Sequence, residues 1–432
     1  MKDMKNYYGW QLTADQVPDD LRDKASVLPA TIKKSGKYYC ARCNHLLLPE
    51  WTLPDGSSYC RNCIVFGRLT TLDHLYYFEQ KPFTKGAYLR WQGQLTPYQK
   101  EVSDILLEAV EKRENILVHA VTGSGKTEMI YRALANRLAK GKVVALVSPR
   151  IDVCRELYQR LSRDFSCPIS LLYANSEDYH RSPLLISTVH QLFKFRQAFD
   201  LIVIDEVDAF PFVDDQSLYH AVANALKPQG SKIFLTATST DNLEKQVKKG
   251  QLREVHLARR FHANPLVSPS FVWLGDLDKK MTKGLIPVKL GQAIRQQRQT
   301  GFPLLLFYPT IVEGEQFARL LQKYFPKEKI GFVSSRSQDR LELVQDFREG
   351  KLDILVSTTI LERGVTFPKI DLFVLNAHHK LYTKSSLIQI AGRVGRSSKR
   401  PNGLLRFYHS GVTRAMRRAL QDIKLMNKKG GF

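Results

Sequence analysis

The chain has 432 residues, which allows two or three domains, because single hydrophobic cores rarely grow past roughly 250 residues. A hydrophobic fraction of 43% with 25% charged residues is that of a soluble globular protein and excludes disordered and fibrous classes. The 65 Lys and Arg exceed the 42 Asp and Glu, and the formal net charge of +23 favours nucleic acid as partner, with anionic lipid or a merely basic surface as alternatives.

The sequence contains no segment that is typical of a signal peptide or a membrane span. The first twenty residues carry charges where a signal peptide needs an apolar core. The longest uncharged apolar stretch, 302–312, is shorter than the roughly 20 residues of a membrane-spanning helix. We therefore expect no transmembrane segment and a cytoplasmic location, with a peripheral position at the inner face of the membrane left open.

Four of the six cysteines form two Cys-x-x-Cys pairs separated by sixteen residues: Cys40, Cys43, Cys60 and Cys63. Each pair makes a turn that points two thiolates at one ion, and four sulfurs complete a closed tetrahedral zinc site. A single pair would equally suit redox chemistry, but two pairs favour metal. The aromatic residues around them either stack on bases or pack around the ion. Cys154 and Cys167 have no such partners in the sequence and are predicted to be buried thiols.

From Leu95 onward, short apolar runs alternate with longer helical stretches, which is typical of buried parallel strands in an α/β sheet. The runs form two series: 115–120, 143–149, 184–188, 201–206 and 232–238, then 303–309, 330–335, 353–359, 371–377 and 404–409. We predict an α/β fold with three regions: 1–90 with the zinc module, 91–262 as a first lobe that binds ATP, and 263–432 as a second lobe with a basic C-terminal tail.

The segment Ala120–Thr127 reads AVTGSGKT and lies between a predicted strand and a helical run. This is the context of a phosphate-binding loop, in which backbone amides and a helix N-terminus face the phosphates of ATP. Lys126 would reach the β- and γ-phosphates and Thr127 would ligate Mg²⁺. The remaining predicted nucleotide contacts in the loop are Thr122, Gly123, Ser124 and Gly125.

Asp205 and Glu206 follow the apolar strand LIVI, at the edge where open α/β sheets bind ligands. Two acids at a strand end are often only a solvated turn. Together with the loop at 120–127, however, they indicate that Asp205 holds Mg²⁺ and that Glu206 positions the attacking water.

The segment QIAGRVGR at 389–396 places two arginines in the second predicted lobe. Guanidinium groups neutralise negative charge that develops on a γ-phosphate, so Arg393 and Arg396 are candidate arginine fingers. Taken alone, the segment would also suit a generic basic helix.

These motifs and their order resemble those of the superfamily 2 helicases and translocases. The chain also carries LTPYQ at 95–99, SPR at 148–150, STVHQL at 187–192, TAT at 236–238 and TTILERGVTFP at 358–368. The resemblance covers about 95–410 and implies two RecA-like, doubly wound parallel-sheet lobes. The implied site residues are Gln99 and Gln389 at the nucleotide, Thr236, Thr238, Arg363 and Gly364 in coupling, and Arg150, Thr188 and Thr358 at the nucleic-acid backbone.

A four-cysteine module ahead of a compact two-lobe motor resembles one family in particular, the ComFA competence ATPases of Gram-positive bacteria. That resemblance implies a single-stranded DNA translocase that draws transforming DNA through a membrane channel, with ComFC and the DNA-uptake machinery as partners. Three readings stay open from the residues: this motor, a replication-restart or RNA helicase, and a nucleic-acid-binding module that ATP switches.

Overall fold

The structure is a computed structural model that describes residues 3–176, 179–397 and 399–432. Its residues group into two compact units. The first unit contains the chain up to His119 together with Lys126–His256, and the second contains Ala120–Gly125 and Leu257–Phe432. The loop predicted to bind phosphate is therefore grouped with the second unit, although Lys126 belongs to the first.

The N-terminal region of the first unit is built from short strands. Strands β1, β5 and β2 form an antiparallel sheet in that order, and β3 and β4 form a hairpin. The hairpin turns at Ser35 and Gly36, both with positive φ, as two-residue hairpin loops of this type require. The bounds are β1 Gln11–Leu12, α1 Asp19–Arg22, β2 Ser26–Pro29, β3 Thr31–Lys34, β4 Lys37–Cys40 and β5 His74–Tyr77, with 3-10 helices at Met4–Tyr7, Ala14–Gln16, Pro49–Trp51 and Ile64–Phe66.

The rest of the first unit is a seven-stranded sheet in the order β12-β6-β11-β10-β7-β9-β8, flanked by helices. The strand pairs from β6 to β8 are parallel. The bounds are α2 Pro97–Glu111, β6 Ile116–Ala120, α3 Lys126–Met129, α4 Tyr131–Ala139, β7 Val144–Ser148, α5 Ile151–Asp164, β8 Ile169–Leu172, β9 Leu184–Thr188, β10 Phe199–Ile204, α6 Gln216–Ala225, β11 Leu226–Thr236, α7 Asp241–Lys248 and β12 Arg253–Leu257, with 3-10 helices at Val189–Lys194 and Phe212–Asp214.

The second unit contains a six-stranded parallel sheet in the order β13-β18-β17-β14-β16-β15. The central strands β14, β16 and β17 are buried along their whole length, which explains why the sequence shows them as unbroken apolar runs. The bounds are β13 Ser270–Trp273, α8 Leu277–Met281, α9 Val288–Arg298, β14 Leu304–Phe307, α10 Ile311–Tyr324, β15 Ile330–Val333, α11 Arg340–Arg348, β16 Ile354–Ser357, β17 Asp371–Val374, α12 Lys384–Ala391, β18 Leu405–His409 and α13 Arg414–Lys429, with a 3-10 helix at Thr359–Leu361.

The N-terminal region and the larger sheet of the first unit share one hydrophobic core. The rings of Phe66 and Phe193 lie 5.5 Å apart, and those of Trp10 and Phe195 lie 5.7 Å apart. The side-chain amide of Gln11 also donates to the carbonyl of Phe193 at 2.9 Å. The cysteine-containing region is thus packed onto the larger sheet of the first unit rather than attached to it only by a linker.

Across the described residues, none of the helices combines the length and apolar character that crossing a bilayer requires.

Candidate functional site

Several predicted site residues lie at the carboxyl edge of the first unit's parallel sheet. Thr188 is the last residue of β9, and Thr236 is the last residue of β11. Asp205 comes directly after β10, and Arg150 follows β7 at the position directly before α5. Because the carboxyl ends of parallel strands meet at one edge, residues distant in sequence become neighbours at the usual ligand-binding position of an open α/β sheet.

Lys126, the first residue of α3, forms an ion pair with Asp205 in which Nζ lies 3.9 Å from Oδ1. Both side chains are mostly buried, being 19% and 14% exposed. Thr127 is the next residue of the same helix. An amine, a hydroxyl and a carboxylate at one strand edge are the groups that bind a nucleotide phosphate and its Mg²⁺. This donor set fits both ligands.

Glu206 has a φ of +56°, a left-handed conformation that is uncommon for residues other than glycine. Hydrogen bonds on both sides hold this conformation: the Glu206 amide donates to the Asp205 carboxylate at 2.9 Å, and the Val207 amide donates to the Leu235 carbonyl at 3.2 Å. Strained backbone of this kind occurs at functional sites, where the surrounding structure over-determines it. The turn therefore fixes the direction in which the Glu206 carboxylate leaves the sheet.

Asp208, the last residue of the segment DEVD at 205–208, was not singled out from the sequence. Its buried carboxylate accepts hydrogen bonds from the hydroxyls of Thr236 at 2.9 Å and Thr238 at 2.6 Å. The Thr238 amide donates in turn to the Thr236 hydroxyl oxygen at 3.0 Å. The turn that carries Asp205 and Glu206 is thus bonded directly to the TAT segment. The sequence shows Asp208 as an acidic residue, but it does not show that this carboxylate is buried.

The phosphate-loop residues Ala120–Gly125 are described within the second unit. Gly123 and Gly125 have φ values of +79° and +73°, which only glycine adopts without strain. The Gly123 carbonyl accepts from the Phe261 amide at 3.0 Å. In the same unit, a Cβ built on Gly392 would lie 1.9 Å from the Thr122 hydroxyl oxygen, so only glycine fits beside the loop at that position.

Gln99 is the third residue of α2 and is buried. Its amide oxygen accepts from the Thr96 backbone amide at 2.9 Å, while its own backbone amide donates to the Thr96 hydroxyl at 3.3 Å. This reciprocal pair is a capping box, which satisfies two donors at the start of the helix. Gln99 thus fixes the entry of the chain into the first lobe, and a nucleotide contact remains a prediction.

In the second unit, Glu362 brings together two of the predicted arginines. The Arg393 guanidinium donates to the Glu362 carbonyl at 3.2 Å, and the Arg363 guanidinium lies 3.6 Å from the Glu362 carboxylate. Ser386 also donates to that carboxylate at 2.5 Å, and Arg363 donates to Ser385 at 2.8 Å. Arg363 and Arg393 are both buried, so this bonding compensates for charge removed from water. Glu362 lies in the motif at 358–368, but the sequence alone predicts no role for it.

Arg396 and the unpredicted Arg260 both bond to the turn after α12. Arg396 donates to the Gly392 carbonyl at 2.9 Å and to the Thr366 hydroxyl at 3.1 Å. The buried Arg260 donates to the Val394 carbonyl at 2.7 Å and to the Gly392 carbonyl at 3.2 Å. Burial, followed by the charge of Arg396, lowers the pKa of Arg260 to about 9. Arg260 thus holds the turn from which Arg393 and Arg396 extend.

The remaining predicted residues lie on well-defined elements of the second unit. Thr358 lies between β16 and the 3-10 helix at Thr359–Leu361 and is buried. Gly364 has a φ of +75° after that helix. Gln389 lies on α12 and is buried. Their predicted roles toward DNA and ATP remain predictions.

The four predicted zinc ligands lie together and are all buried: Cys40, Cys43, Cys60 and Cys63. The sulfur–sulfur distances are 3.6 Å for Cys40 and Cys63, 3.5 Å for Cys43 and Cys60, and 3.7 Å for Cys60 and Cys63. A disulfide requires about 2.05 Å, whereas thiolates bound at about 2.3 Å to one tetrahedral zinc lie about 3.8 Å apart. The donor set therefore fits a closed structural zinc site.

The groups around the four cysteines contact one another and the nearby backbone. Hydrogen bonding with Cys40 lowers the pKa of Cys60 and raises that of Cys43, as expected for thiols too close to ionise independently. The buried Arg42 donates to the carbonyls of Phe66 and, at 2.8 Å, Gly67. Cys154 and Cys167 are buried free thiols, as predicted, and burial raises their pKa values to about 12 and about 11.

Comparison with known proteins gives the family. The profile of the DEAD/DEAH box helicases matches residues 96–246, and that of the helicase conserved C-terminal domain matches residues 287–398. The competence protein ComFA of Streptococcus pneumoniae is 54% identical over 432 residues, which is 100% of both chains. This chain belongs to the ComFA family. The ComFA of Bacillus subtilis is 38% identical over 91% of this chain and 86% of that protein.

Solved structures show the same fold as this ComFA-family chain. Saccharomyces cerevisiae Dbp5 bound to RNA and ADP BeF3 has a TM-score of 0.53 and 16% identity, covering 77% of this chain and 92% of that one. Mycobacterium smegmatis Lhr bound to single-stranded DNA and AMP-PNP has a TM-score of 0.55 and 18% identity, covering 78% and 50%. The prediction of two RecA-like parallel-sheet lobes with a four-cysteine module is confirmed. The protein is a competence-related, helicase-like ATPase of superfamily 2.

Proposed function

We propose that this ATPase is a single-stranded DNA translocase that drives the uptake of transforming DNA during natural competence. The observation that carries the proposal is the 3.9 Å pair of Lys126 and Asp205 beside Glu206, in a chain similar over its full length to competence proteins. The net charge of +23 supports binding to a polyanion such as DNA.

The ATP step is assigned to the predicted nucleotide-binding and catalytic residues. Thr122, Gly123, Ser124 and Gly125 surround the phosphates, with Gln99 and Gln389 as further nucleotide contacts. Lys126 neutralises phosphate charge, and Glu206 orients the attacking water and accepts its proton. Thr127 and Asp205 would hold Mg²⁺, which when bound neutralises charge on the β- and γ-phosphate oxygens.

Arg393 and Arg396 are assigned to stabilising the charge that develops on the γ-phosphate. The bonds of Arg393 and Arg260 support this role, because they fix the segment 392–396. A guanidinium whose position is already fixed loses less conformational entropy when the transition state forms. Arg363 and Gly364 belong to the coupling residues of the same unit.

Coupling to DNA is assigned to Thr236 and Thr238, on the basis of their bonds to Asp208. Asp208 is three residues from Asp205. A movement of the turn at the Mg²⁺ site is therefore transmitted to the TAT segment through the Asp208 side chain. Arg150, Thr188 and Thr358 are assigned to the sugar–phosphate backbone, a contact that carries no base sequence. Such contacts suit a motor that must move along any strand.

The family assignment supports a proposal for the cellular partners. We propose ComFC and the DNA-uptake machinery as protein partners, and a cytoplasmic position that includes peripheral association with the inner face of the membrane. Co-purification of the full chain with ComFC, compared with the Cys40→Ser and Cys60→Ser double variant, would tell whether the cysteine module carries this contact.

The decisive experiment compares ATP hydrolysis by the full chain with single-stranded DNA, duplex DNA and RNA. We expect strong stimulation by single-stranded DNA, and ATP-dependent displacement of streptavidin from a biotinylated single strand. Stimulation by RNA or forked duplex alone would instead favour an RNA or replication-restart helicase. Equal ATPase rates with and without every nucleic acid would refute a motor, and DNA stimulation without displacement would favour an ATP-switched binding module.

A further inference from the structure

A second group of metal-ligating side chains lies in the first unit, separate from the cysteines. Among the residues that the structure describes, two clusters place three or more such groups together, and the second consists of His119, Glu254 and His256. Glu254 and His256 are two residues apart on β12, so their side chains leave the same face of the strand. His119 lies on the adjacent strand β6, directly before the phosphate loop.

Strand direction explains why these groups meet. The Arg253 amide donates to the Asn115 carbonyl at one end of the strand pair, and the Val121 amide donates to the Leu257 carbonyl at the other. The strands β6 and β12 therefore run in the same direction. His119 and His256 are each next to the final residue of their strand, and their rings lie 5.5 Å apart.

The distances within the cluster suit a shared ion better than direct hydrogen bonds. His119 Nδ1 lies 3.9 Å from Glu254 Oε1, and His256 Nε2 lies 3.5 Å from Glu254 Oε2. Hydrogen bonds between such groups are about 2.7–3.2 Å long. Ligands bound at about 2.0–2.1 Å to one tetrahedral ion lie about 3.4 Å apart. Small side-chain movements would bring all three donors into that geometry.

The outer contacts of His119 are those of a metal ligand. Its Nε2 lies 3.0 Å from the Ala237 carbonyl oxygen, which can only accept a hydrogen bond. The proton of a neutral imidazole therefore resides on Nε2, which leaves the Nδ1 lone pair toward Glu254. A ligating histidine characteristically donates its second ring N–H to a carbonyl in this manner.

The cluster is also accessible to an ion. The side chains of His119, Glu254 and His256 are 15%, 24% and 32% exposed, respectively, so they face solvent and are still partly desolvated. Two imidazoles and one carboxylate are a donor set for Zn²⁺ and similar transition metals, whereas Mg²⁺ and Ca²⁺ prefer oxygen ligands throughout.

We propose that His119, Glu254 and His256 form a second, exchangeable zinc site with one coordination position left for water. An ion there connects β12 to β6 immediately before Ala120, and through the Ala237 carbonyl it is linked to the TAT segment. The site has three protein ligands and is partly exposed, unlike the four-thiolate centre. It therefore exchanges zinc with the solvent more readily than that centre does.

The test is calorimetric titration of Zn²⁺ into the untagged full chain after its tightly held zinc has been quantified. We expect one additional zinc per chain. His256→Gln and Glu254→Gln should each weaken this second zinc by about tenfold or more, since each removes a ligand. His74→Gln, which changes an exposed histidine of the same unit, is the matched control and should bind as the parent does.

Thermal unfolding of each variant, with its tightly held zinc retained, establishes that it is folded, and added Zn²⁺ should raise the midpoint in the parent and in His74→Gln but much less in the two site variants. A parent chain that saturates at its first zinc would overturn the proposal. So would a second zinc that binds equally tightly to the parent and all three variants.

Discussion

The carboxylate of Asp208 accepts a hydrogen bond of 2.6 Å from the hydroxyl of Thr238. Both residues are buried, and Thr236 bonds to the other oxygen of the same carboxylate at 2.9 Å. Hydrogen bonds to an ionised acceptor are shorter and stronger than those between neutral groups. The carboxylate turn and the TAT segment are therefore expected to move together.

Replacing Asp208 by Asn should separate ATP binding from DNA stimulation. Thr236 and Thr238 donate to different oxygens of the carboxylate, and in Asn one of these oxygens is replaced by an NH2 group that cannot accept, so the loss of a buried bond should cost about 1–3 kcal/mol of unfolding free energy. We expect nucleotide affinity to be kept while DNA stimulation of the ATPase falls severalfold. The exposed Asp214→Asn is the control. Full DNA stimulation in Asp208→Asn would contradict the coupling role.

Lys126→Ala and Glu206→Gln should each reduce ATP turnover by about 100-fold or more, by analogy with the loss of one electrostatic contact to a transition state. The causes differ, because Lys126→Ala loses phosphate charge stabilisation and Glu206→Gln loses the base that positions water. Titration of a fluorescent ATP analogue should show tight binding by Glu206→Gln and weak binding by Lys126→Ala. Parental turnover in either variant would refute that residue's assignment.

Arg260→Met should lower both stability and ATP turnover. The Val394 carbonyl would lose the donor that Arg260 provides, at about 1–3 kcal/mol for a buried group left unsatisfied, and the Gly392 carbonyl would keep only its bond from Arg396. Arg259→Met is the matched control, since that neighbouring guanidinium donates to the Gly430 carbonyl instead. Denaturation and ATPase assays on both variants decide the point: equal turnover would show that the 392–396 turn keeps its geometry without Arg260.

About one zinc per chain should survive gel filtration, because four thiolates hold the ion against dilution. The Cys40→Ser and Cys60→Ser double variant should lose it. We expect a folded ATP site that still binds nucleotide, together with reduced DNA affinity, partner binding or solubility. Zinc retained in that variant would refute the ligand assignment. Zinc lost with unchanged DNA affinity would make the module purely structural.

DNA stimulation of the ATPase should fall as salt rises, since each phosphate contact releases counterions. Residues 393–432 contain eleven Lys and Arg and one acidic residue, Asp422. ATPase rates measured with single-stranded DNA across a salt series should decline steeply, whereas the rate without DNA should change little. A flat DNA-stimulated rate would contradict a backbone-binding motor.

The sequence predicted the larger sheets well because their strands are buried on both faces. All ten predicted apolar runs contain or overlap a strand of the structure. The strand β12 was missed because it carries Arg253, Glu254 and His256 at a sheet edge, so its residues do not form an apolar run. The N-terminal strands were missed because they are two to four residues long, and β2 and β3 are in addition largely exposed.

The candidate catalytic motifs could be read from the sequence because the residues of each motif are contiguous in the chain. The residues that hold these motifs in place could not be predicted, because they contact the motifs only in the folded chain. Arg260 lies 134 residues from Val394, and no motif surrounds it. Asp208 was visible as an acid, but only folding shows that two threonine hydroxyls offset the cost of burying it.

The core shared by the cysteine region and the first sheet bears on how this protein can be divided. Phe193 and Phe195 are almost completely covered, and part of that cover comes from Phe66 and Trp10. A fragment that begins near Leu95 would leave these two rings in contact with water. Contiguous apolar surface of this kind promotes self-association. Deleting the cysteine region would thus yield an aggregation-prone lobe, and point substitution is the cleaner way to study that region.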